Sequence, residues 1–266
     1  MIGGGVRGSL LAAAAVLGVA ACSTGGRSST PLGEQIRHLK PLHSGTLALS
    51  LTWSAGQNAT AGFGVDGPFA DPVGPGRLPM FSLTTHQIGG ADQATTIISD
   101  GQAAVAHAGR TVAPVPAAQF AALRGKPGED LTGLRALDVE HWAVGPQAST
   151  KDSTTAEQTV ASAADPVAAI NAIVALANSS ASPGSLQMIP GDQATTVRAV
   201  LASSRLEVTA GSTDHLLHRI HLVLTFASSS QKALQSAIGS AANVEMRFDA
   251  AISRPNQAVI VKLPAG

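Results

Sequence analysis

Three histidines lie within seven residues, at His215, His218 and His221, and imidazole is a common zinc ligand. The residues that follow them, LVLTF, are strand-forming types, so we predict a strand through this stretch. In a strand His218 points away from His215 and His221, and those two lie about 20 Å apart at ~3.3 Å per residue. Imidazoles placed in this way cannot share one Zn²⁺ with bonds of about 2 Å. We therefore expect no metal site, and we assign the three side chains to a solvated face.

Asp138, Glu140 and His141 form the other close group of titratable residues. A carboxylate pair beside a histidine could transfer protons, but such a group is more often the solvated edge of a helix. The sequence contains none of the motifs H-E-x-x-H, G-x-S-x-G, G-x-x-x-x-G-K-[ST] or C-x-x-C. A Ser-His-Asp set assembled from distant positions is an open alternative. We expect a protein without a catalytic site and without a cofactor.

Cys22 is the only cysteine in the 266-residue chain, so no disulfide can form within it. It follows a short segment, residues 1–7, whose one charge is Arg7, and an uncharged apolar run over residues 8–21. That run is too short to span a bilayer, which needs about 20 apolar residues, but it has the length and flanks of a secretory signal peptide. The ending Val19-Ala20-Ala21-Cys22 resembles the bacterial lipobox. This resemblance implies that a lipid carrying acyl chains such as palmitate is joined to the Cys22 sulfur, and that cleavage makes Cys22 the new N-terminus.

The composition excludes several classes of partner. Without residues 1–21 the chain keeps 16 of its 17 Lys and Arg against 17 Asp and Glu, a net charge of −1. It therefore has no basic field to attract nucleic acid. Aromatic residues make up 3% of the chain and tyrosine is absent, so the interior must be built from Ala, Val, Leu and Ile. No second long apolar run follows, so we expect that the mature protein does not span the membrane. The lipobox resemblance implies that lipid holds it at the extracytoplasmic side of the cell membrane.

The hydrophobic pattern predicts an α+β domain made mostly of antiparallel strands. Residues 1–21 are predicted to be the signal peptide, residues 22–40 the acylated cysteine and a flexible tether, and residues 41–266 a single domain. Residues 45–54 alternate between apolar and small or polar types, as in a half-buried strand. A last strand is predicted over residues 257–263. Because one-sided apolar sheets need cover, we assign that role to predicted helices at 116–123, 166–177 and 193–202.

Several stretches together resemble a known family. They are SGTLALSLTW, VDGPFADP, GRLPMFSLTT and the strand–turn–strand sequence RLEVTAGSTDHLLHRIHLVLTF. These are similar to the actinobacterial LppX/LprG-type lipoproteins, which are related in fold to the lipoprotein carrier LolA. Asp214 and the residues after it resemble the family stretch D-x-x-L-R-R-I, with His218 where an arginine is usual. The chain departs from better-known members in its low aromatic content and in the Pro/Gly tract at 67–76.

The resemblance implies a half-open antiparallel β-barrel whose concave apolar face is covered by helices, with a cavity for acyl chains between them. It further implies a protein that carries a lipid or glycolipid within the cell envelope, with an envelope transporter as a possible partner. The side chains expected to contact the lipid are apolar residues of the strands and of the middle helix: Leu47, Leu49, Leu51, Trp53, Phe63, Val65, Ile170, Ile173, Val174, Leu222, Leu224, Phe226, Met246 and Phe248. Two alternatives are a lipoprotein with a solid core that binds a protein partner, and an extracytoplasmic hydrolase.

Overall fold

The computed structural model describes residues 30–55, 60–72, 77–89, 94–109, 111–114, 134, 137–180, 187–227 and 244–264. The predicted signal peptide, Cys22 and the predicted helix at 116–123 lie outside these residues. The helices are α1 (Pro31–Arg37), α2 (Pro166–Ser180) and α3 (Gly191–Ala199), with a short 3₁₀ turn at Val139–His141. The strands are β1 (Ser44–Ala55), β2 (Ala61–Ala70), β3 (Met80–Ile88), β4 (Thr95–Asp100), β5 (Ala104–Ala108), β6 (Thr111–Pro114), β7 (Ala143–Asp152), β8 (Glu157–Ala164), β9 (Leu201–Gly211), β10 (Leu217–Phe226) and β11 (Val244–Ser253).

The strands of the described chain form one antiparallel sheet in the order β6-β5-β4-β3-β2-β1-β11-β10-β9-β8-β7. The first strand lies near the middle because it pairs with β2 on one side and with β11, the last strand, on the other. Among the described residues β6 and β7 are the two edges, so the sheet is open. The predicted fold class, an α+β half-open antiparallel barrel with helices over its apolar face, is confirmed.

Alternation sets the two faces of the sheet. Leu222 of β10 lies opposite Phe248 of β11, and Phe248 lies opposite Leu51 of β1, so these side chains share one face. We call this the inner face, because α1, α2 and α3 pack against it in one apolar cluster. The other face, here called the outer face, carries charged pairs such as Arg205–Glu207 and Arg219–Asp249. A sheet with one polar and one apolar face needs helices on one side only.

The helix α2 begins where its sequence predicts. The side chain of Asp165 accepts a hydrogen bond from the backbone N–H of Val167, and its backbone carbonyl accepts one from the N–H of Ala169. Pro166 is the first residue of the helix. An acidic N-cap followed by proline satisfies or removes N–H groups that a first turn leaves unpaired. The apolar side of α2 is buried against the sheet, together with Val197 of α3.

The domain includes residues on the N-terminal side of the predicted boundary at residue 41. Residues 31–37, which the sequence reading placed in a flexible tether, form α1, with Thr30 as its N-cap. Leu32 is fully buried, and its backbone N–H donates to Gln147 Oε1 of β7 at 2.8 Å. The Ser/Gly-rich composition of the preceding residues led to the prediction of a tether over this short capped helix. Its stability comes from packing on the sheet rather than from its own helix propensity.

The prediction of one regular strand through the three histidines is wrong. His215 lies in the turn before β10 with a φ of 58°, and the β9–β10 register shifts between Leu217 and Arg219. Such a bulge changes which way the following side chains point. His218 therefore pairs with Glu157 at 2.8 Å and His221 with Asp249 at 3.0 Å, both on the outer face, instead of pointing in opposite directions.

The predicted last strand is also not formed. Residues 257–264 run beyond β11 without strand pairing, although the side chains of QAVIVKL alternate. Ile260 is 84% exposed. Alternation defines one apolar face of a segment, but the segment becomes a strand only if it can pair with the unpaired edge of another strand. Across the described parts of the chain, no helix is long and apolar enough to cross a membrane.

Candidate functional site

The predicted lipid-contacting residues fall into two groups according to how much surface they keep. Ten of them are buried in the apolar cluster between the helices and the middle of the sheet: Leu47, Leu51, Ile170, Ile173, Val174, Leu222, Leu224, Phe226, Met246 and Phe248. Leu222, Leu224, Phe226 and Phe248 have an accessible surface of 0%. A side chain with no accessible surface has no water-sized space beside it, so these four belong to a closed core. We call all ten buried residues the closed core.

Two further contacts explain why the closed core is solid. Trp142, which follows the 3₁₀ turn, is 1% exposed and packs edge-on against Phe248, with ring centroids 6.3 Å apart. Its backbone carbonyl accepts the N–H of Asp165 at 2.8 Å, which ties it to the start of α2. One of the two tryptophans thus packs on β11 through its ring while its backbone is joined to the start of α2.

The other predicted residues, Leu49, Trp53, Phe63 and Val65, are only half-buried. The register places Leu49 opposite Val65 and Leu51 opposite Phe63, so they form a continuous surface across β1 and β2. We call the surface formed by Leu49, Trp53, Phe63 and Val65, together with Leu83 and Ile97, the apolar patch. It lies on the inner face, on the β2 side of the closed core.

Sequence reasoning missed two members of the apolar patch. Leu83 of β3 and Ile97 of β4 are half-buried, lie directly opposite each other, and pack against the same cluster. The sequence does not single out these apolar positions, because each strand mixes them with Thr and Ser. The signal that could have found them is the alternation of Phe81 and Leu83, continued across the pair to Ile97.

The apolar patch is bordered by neutral polar side chains rather than by charges. Thr85 lies opposite Val65, and Gln87 lies opposite Phe63. The charged neighbours Asp66 and His86 pair with each other at 3.3 Å, and their positions alternate with those of the patch, so they belong to the outer face. A surface of this kind can bind an apolar chain.

The predicted acid/base group forms a local surface pair. Asp138 Oδ1 lies 2.8 Å from His141 Nδ1, and both side chains are exposed. The hydrogen bond that this carboxylate accepts from the imidazole, together with the carboxylate's charge, raises the pKa of His141 above its ordinary value. The two residues are three apart in the sequence, so this is a contact within one turn.

Two hollows lined by described residues lie away from the predicted lipid-contacting side chains. One, of about 720 Å³, lies at the start of β1 beside the pair His43–Asp71, whose Nδ1 and Oδ2 are 2.7 Å apart. The neighbouring Ser44 donates its hydroxyl to the carbonyl of Gln257, so it is not set to be activated by His43. The other, of about 410 Å³, lies beside α1.

In the described ranges, no three His, Cys, Asp or Glu side chains are grouped so as to hold a metal ion.

Comparison with known proteins gives likenesses of fold only. No family model matches the chain, and no curated protein matches it. Among solved structures, LprF from Mycobacterium bovis is similar, with a TM-score of 0.41 and 15% identity over 88% of this chain and 98% of that one. A LolA superfamily protein from Nitrosomonas europaea is similar with a TM-score of 0.21 and 8% identity, over 87% of this chain and 92% of that one.

Proposed function

We propose that this protein is a membrane-anchored lipoprotein of the cell envelope that binds the acyl chains of a lipid or glycolipid and carries it there. The anchor is Cys22, on the extracytoplasmic side of the membrane. A membrane transporter of the envelope is the partner that would load or receive the lipid. The protein is not an enzyme in this proposal.

The observation that supports acyl binding is the apolar patch. Leu49, Trp53 and Phe63 keep accessible surface on the inner face of the sheet, whereas the neighbouring closed core does not. Burying apolar surface stabilises a complex by roughly 25 cal/mol per Å². An acyl chain laid along β1 and β2 would therefore gain free energy by completing a core that the protein's own side chains leave incomplete.

The proposal also reduces the set of residues that would contact the lipid. Residues of the closed core could contact a lipid only if protein atoms moved away from them, because no water-sized space adjoins Leu222, Leu224, Phe226 or Phe248. The acyl chain is therefore assigned to the apolar patch, with Leu83 and Ile97 added to the residues predicted from the sequence. The transfer step, in which the lipid passes to a partner, uses this same open surface.

Added bulk in the apolar patch tests the proposal. We expect Leu49→Trp to fill space that an acyl chain would use, and so to weaken binding of a fluorescent fatty acid while changing the unfolding free energy little. The matched control is Ala48→Trp, which places the same indole on the outer face of the same strand, where Ala48 is exposed. This control should leave fatty-acid binding unchanged.

The same experiment distinguishes a lipid carrier from a solid-core lipoprotein that binds a protein partner. Lipid that co-purifies with the parent protein, detected by native mass spectrometry and lipid extraction, is expected for a carrier. No fatty-acid binding by the parent, together with strong destabilisation by Leu49→Trp, would contradict the proposal. That result would favour the solid-core lipoprotein that binds a protein partner, since overpacking a full interior costs typically ~1–3 kcal/mol.

A further inference from the structure

The C-terminal segment, residues 257–264, is a surface that the acyl-chain site does not use. It continues from β11 without strand pairing. Residues 258–261 and Leu263 are apolar, and none of them is buried. Ile260 is 84% exposed, which makes it the most exposed large apolar side chain among the described residues. A run of consecutive apolar residues that keep accessible surface is unusual unless it has a function.

Hydrogen bonds fix the start of the C-terminal segment. Asn256 accepts the His43 N–H at its Oδ1 and donates through its Nδ2 to the Pro41 carbonyl. Its own N–H donates to the Ser44 carbonyl, and the Ser44 hydroxyl donates to the Gln257 carbonyl at 2.7 Å. Asn256 has a φ of 56°, a conformation in which asparagine is enriched. The segment therefore leaves the sheet at a defined place, beside the start of β1.

The C-terminal segment and α1 lie at the same end of the sheet. Gln35 of α1 donates to the carbonyl of Gln158 near the start of β8. Because the strands alternate in direction from β1 through β11, β10 and β9 to β8, the starts of β1 and β8 are at one end. Thr30, which caps α1, stands eight residues after Cys22, and an extended chain of that length spans at most about 29 Å. A membrane that holds Cys22 is therefore within reach of this end.

The charges around the C-terminal segment favour an anionic partner. No Asp or Glu follows Asp249 in the sequence, whereas Arg254 and Lys262 are basic and exposed. Asp71, beside the segment, is paired with His43. A second copy of the chain would bring two basic segments together. Anionic lipid headgroups carry the opposite charge and attract Lys and Arg.

We propose that the C-terminal segment contacts the lipid surface to which the protein is anchored, with Ile260 entering the membrane interface and Lys262 at anionic headgroups. This inference rests on the proposed anchor at Cys22. The anchor keeps the segment at a high local concentration near the surface, so a contact too weak to hold the protein alone can form. The contact orients the domain, with the α1 end of the sheet towards the membrane.

The test uses the mature lipidated protein in vesicles made of equal parts of phosphatidylcholine and phosphatidylglycerol. Because the Cys22 sulfur is then in a thioether, Ala258→Cys supplies one free thiol for the polarity-sensitive dye NBD. We expect its emission to shift to the blue and to be quenched by spin-labelled lipid. Ala202→Cys is the matched control, at an exposed position near the start of β9, at the opposite end of the sheet. Dye at this position should show neither effect.

Two second-site variants test the chemistry of the contact at the Ala258→Cys probe. Ile260→Ser should abolish the blue shift, because it removes the apolar side chain that enters the interface. Lys262→Gln should lower the ratio of inserted to free segment about fivefold, the size expected for one basic residue at an anionic surface. Vesicles of phosphatidylcholine alone should likewise weaken the response.

Flotation of the same samples separates this inference from the anchor. Protein that does not float with the vesicles would contradict the anchor, and this inference with it. Protein that floats without a blue shift at position 258, or with equal shifts at 258 and 202, would overturn the inference and leave the anchor standing. A response that both second-site variants leave unchanged would also overturn it. A blue shift without vesicles that grows with protein concentration would overturn it in favour of contact with a second copy.

Discussion

The carboxylate of Asp165 joins two helices. Its Oδ1 accepts the backbone N–H of Val167 at the start of α2, and its Oδ2 accepts a hydrogen bond from Arg198 Nη2 of α3 at 2.7 Å. Burial opposes ionisation of this carboxyl group, but the hydrogen bonds from Arg198 and from Val167 N–H outweigh it and hold the pKa of Asp165 below its ordinary value of 3.8. The same carboxylate raises the pKa of Arg198.

Asp165→Asn should therefore lower stability in a pH-dependent way. Because the folded pKa of Asp165 lies below the unfolded one, its contribution is complete above pH 3.8 and is lost as the pH falls through the folded value. With Arg198 half-exposed, we expect a loss of about 0.2–1 kcal/mol at neutral pH. Urea unfolding at several pH values should show the difference between parent and variant shrinking in acid. Asp192→Asn, at an exposed position in the first turn of α3, is the control, and an equal effect there would contradict this account.

Truncation should distinguish the closed core from the apolar patch. Leu224→Ala removes a fully buried side chain and should cost about 2–5 kcal/mol. Leu49→Ala removes a half-buried side chain beside accessible space, so the loss should be clearly smaller. Chemical denaturation of the two variants measures the difference. Equal losses would show that Leu49 lies in a packed interior.

Gly67→Ala should disrupt the pairing of β2 with β3. Gly67 has a φ of +141°, and a Cβ atom there would strike the backbone carbonyl oxygen of Ser82. Both the dihedral and the clash exclude larger residues. Gly109→Ala is the matched control, since Gly109 has a φ of +58° but nothing within 4 Å of its added Cβ. Thermal melting should show a larger loss for Gly67→Ala, and similar melting temperatures would mean that the strands can shift apart at little cost.

Cys22→Ser should release the protein from the membrane. Serine has no thiol with which to form a thioether, so the variant should incorporate no radiolabelled palmitate and should leave the membrane fraction. Cell fractionation with metabolic labelling measures both effects. Ser23→Ala, at the adjacent position, keeps the thiol and should behave like the parent. Labelling of the Cys22→Ser variant at the parental level would contradict the assigned anchor.

Local patterns in the sequence were sufficient for the elements whose cause is local. The alternation of Leu47, Leu49 and Leu51 predicted β1, because successive side chains of a strand point to opposite faces. Asp165 and Pro166 predicted the start of α2, because the N–H groups of a first turn must be satisfied or absent. The open antiparallel sheet followed from the number of such strands and from the motifs that resemble a known family.

The tertiary structure decided what depends on neighbours distant in the sequence. Leu49 and Leu51 are equivalent in the pattern, yet only Leu51 is buried, because burial depends on the distant side chains that pack over each position. His218 left its predicted orientation because the bulge is set by the pairing of β10 with β9. Gln35 donates to the Gln158 carbonyl only because α1 packs beside β8, more than a hundred residues away in the sequence. In each case the deciding free energy comes from packing and pairing between segments, which alternation within one segment does not encode.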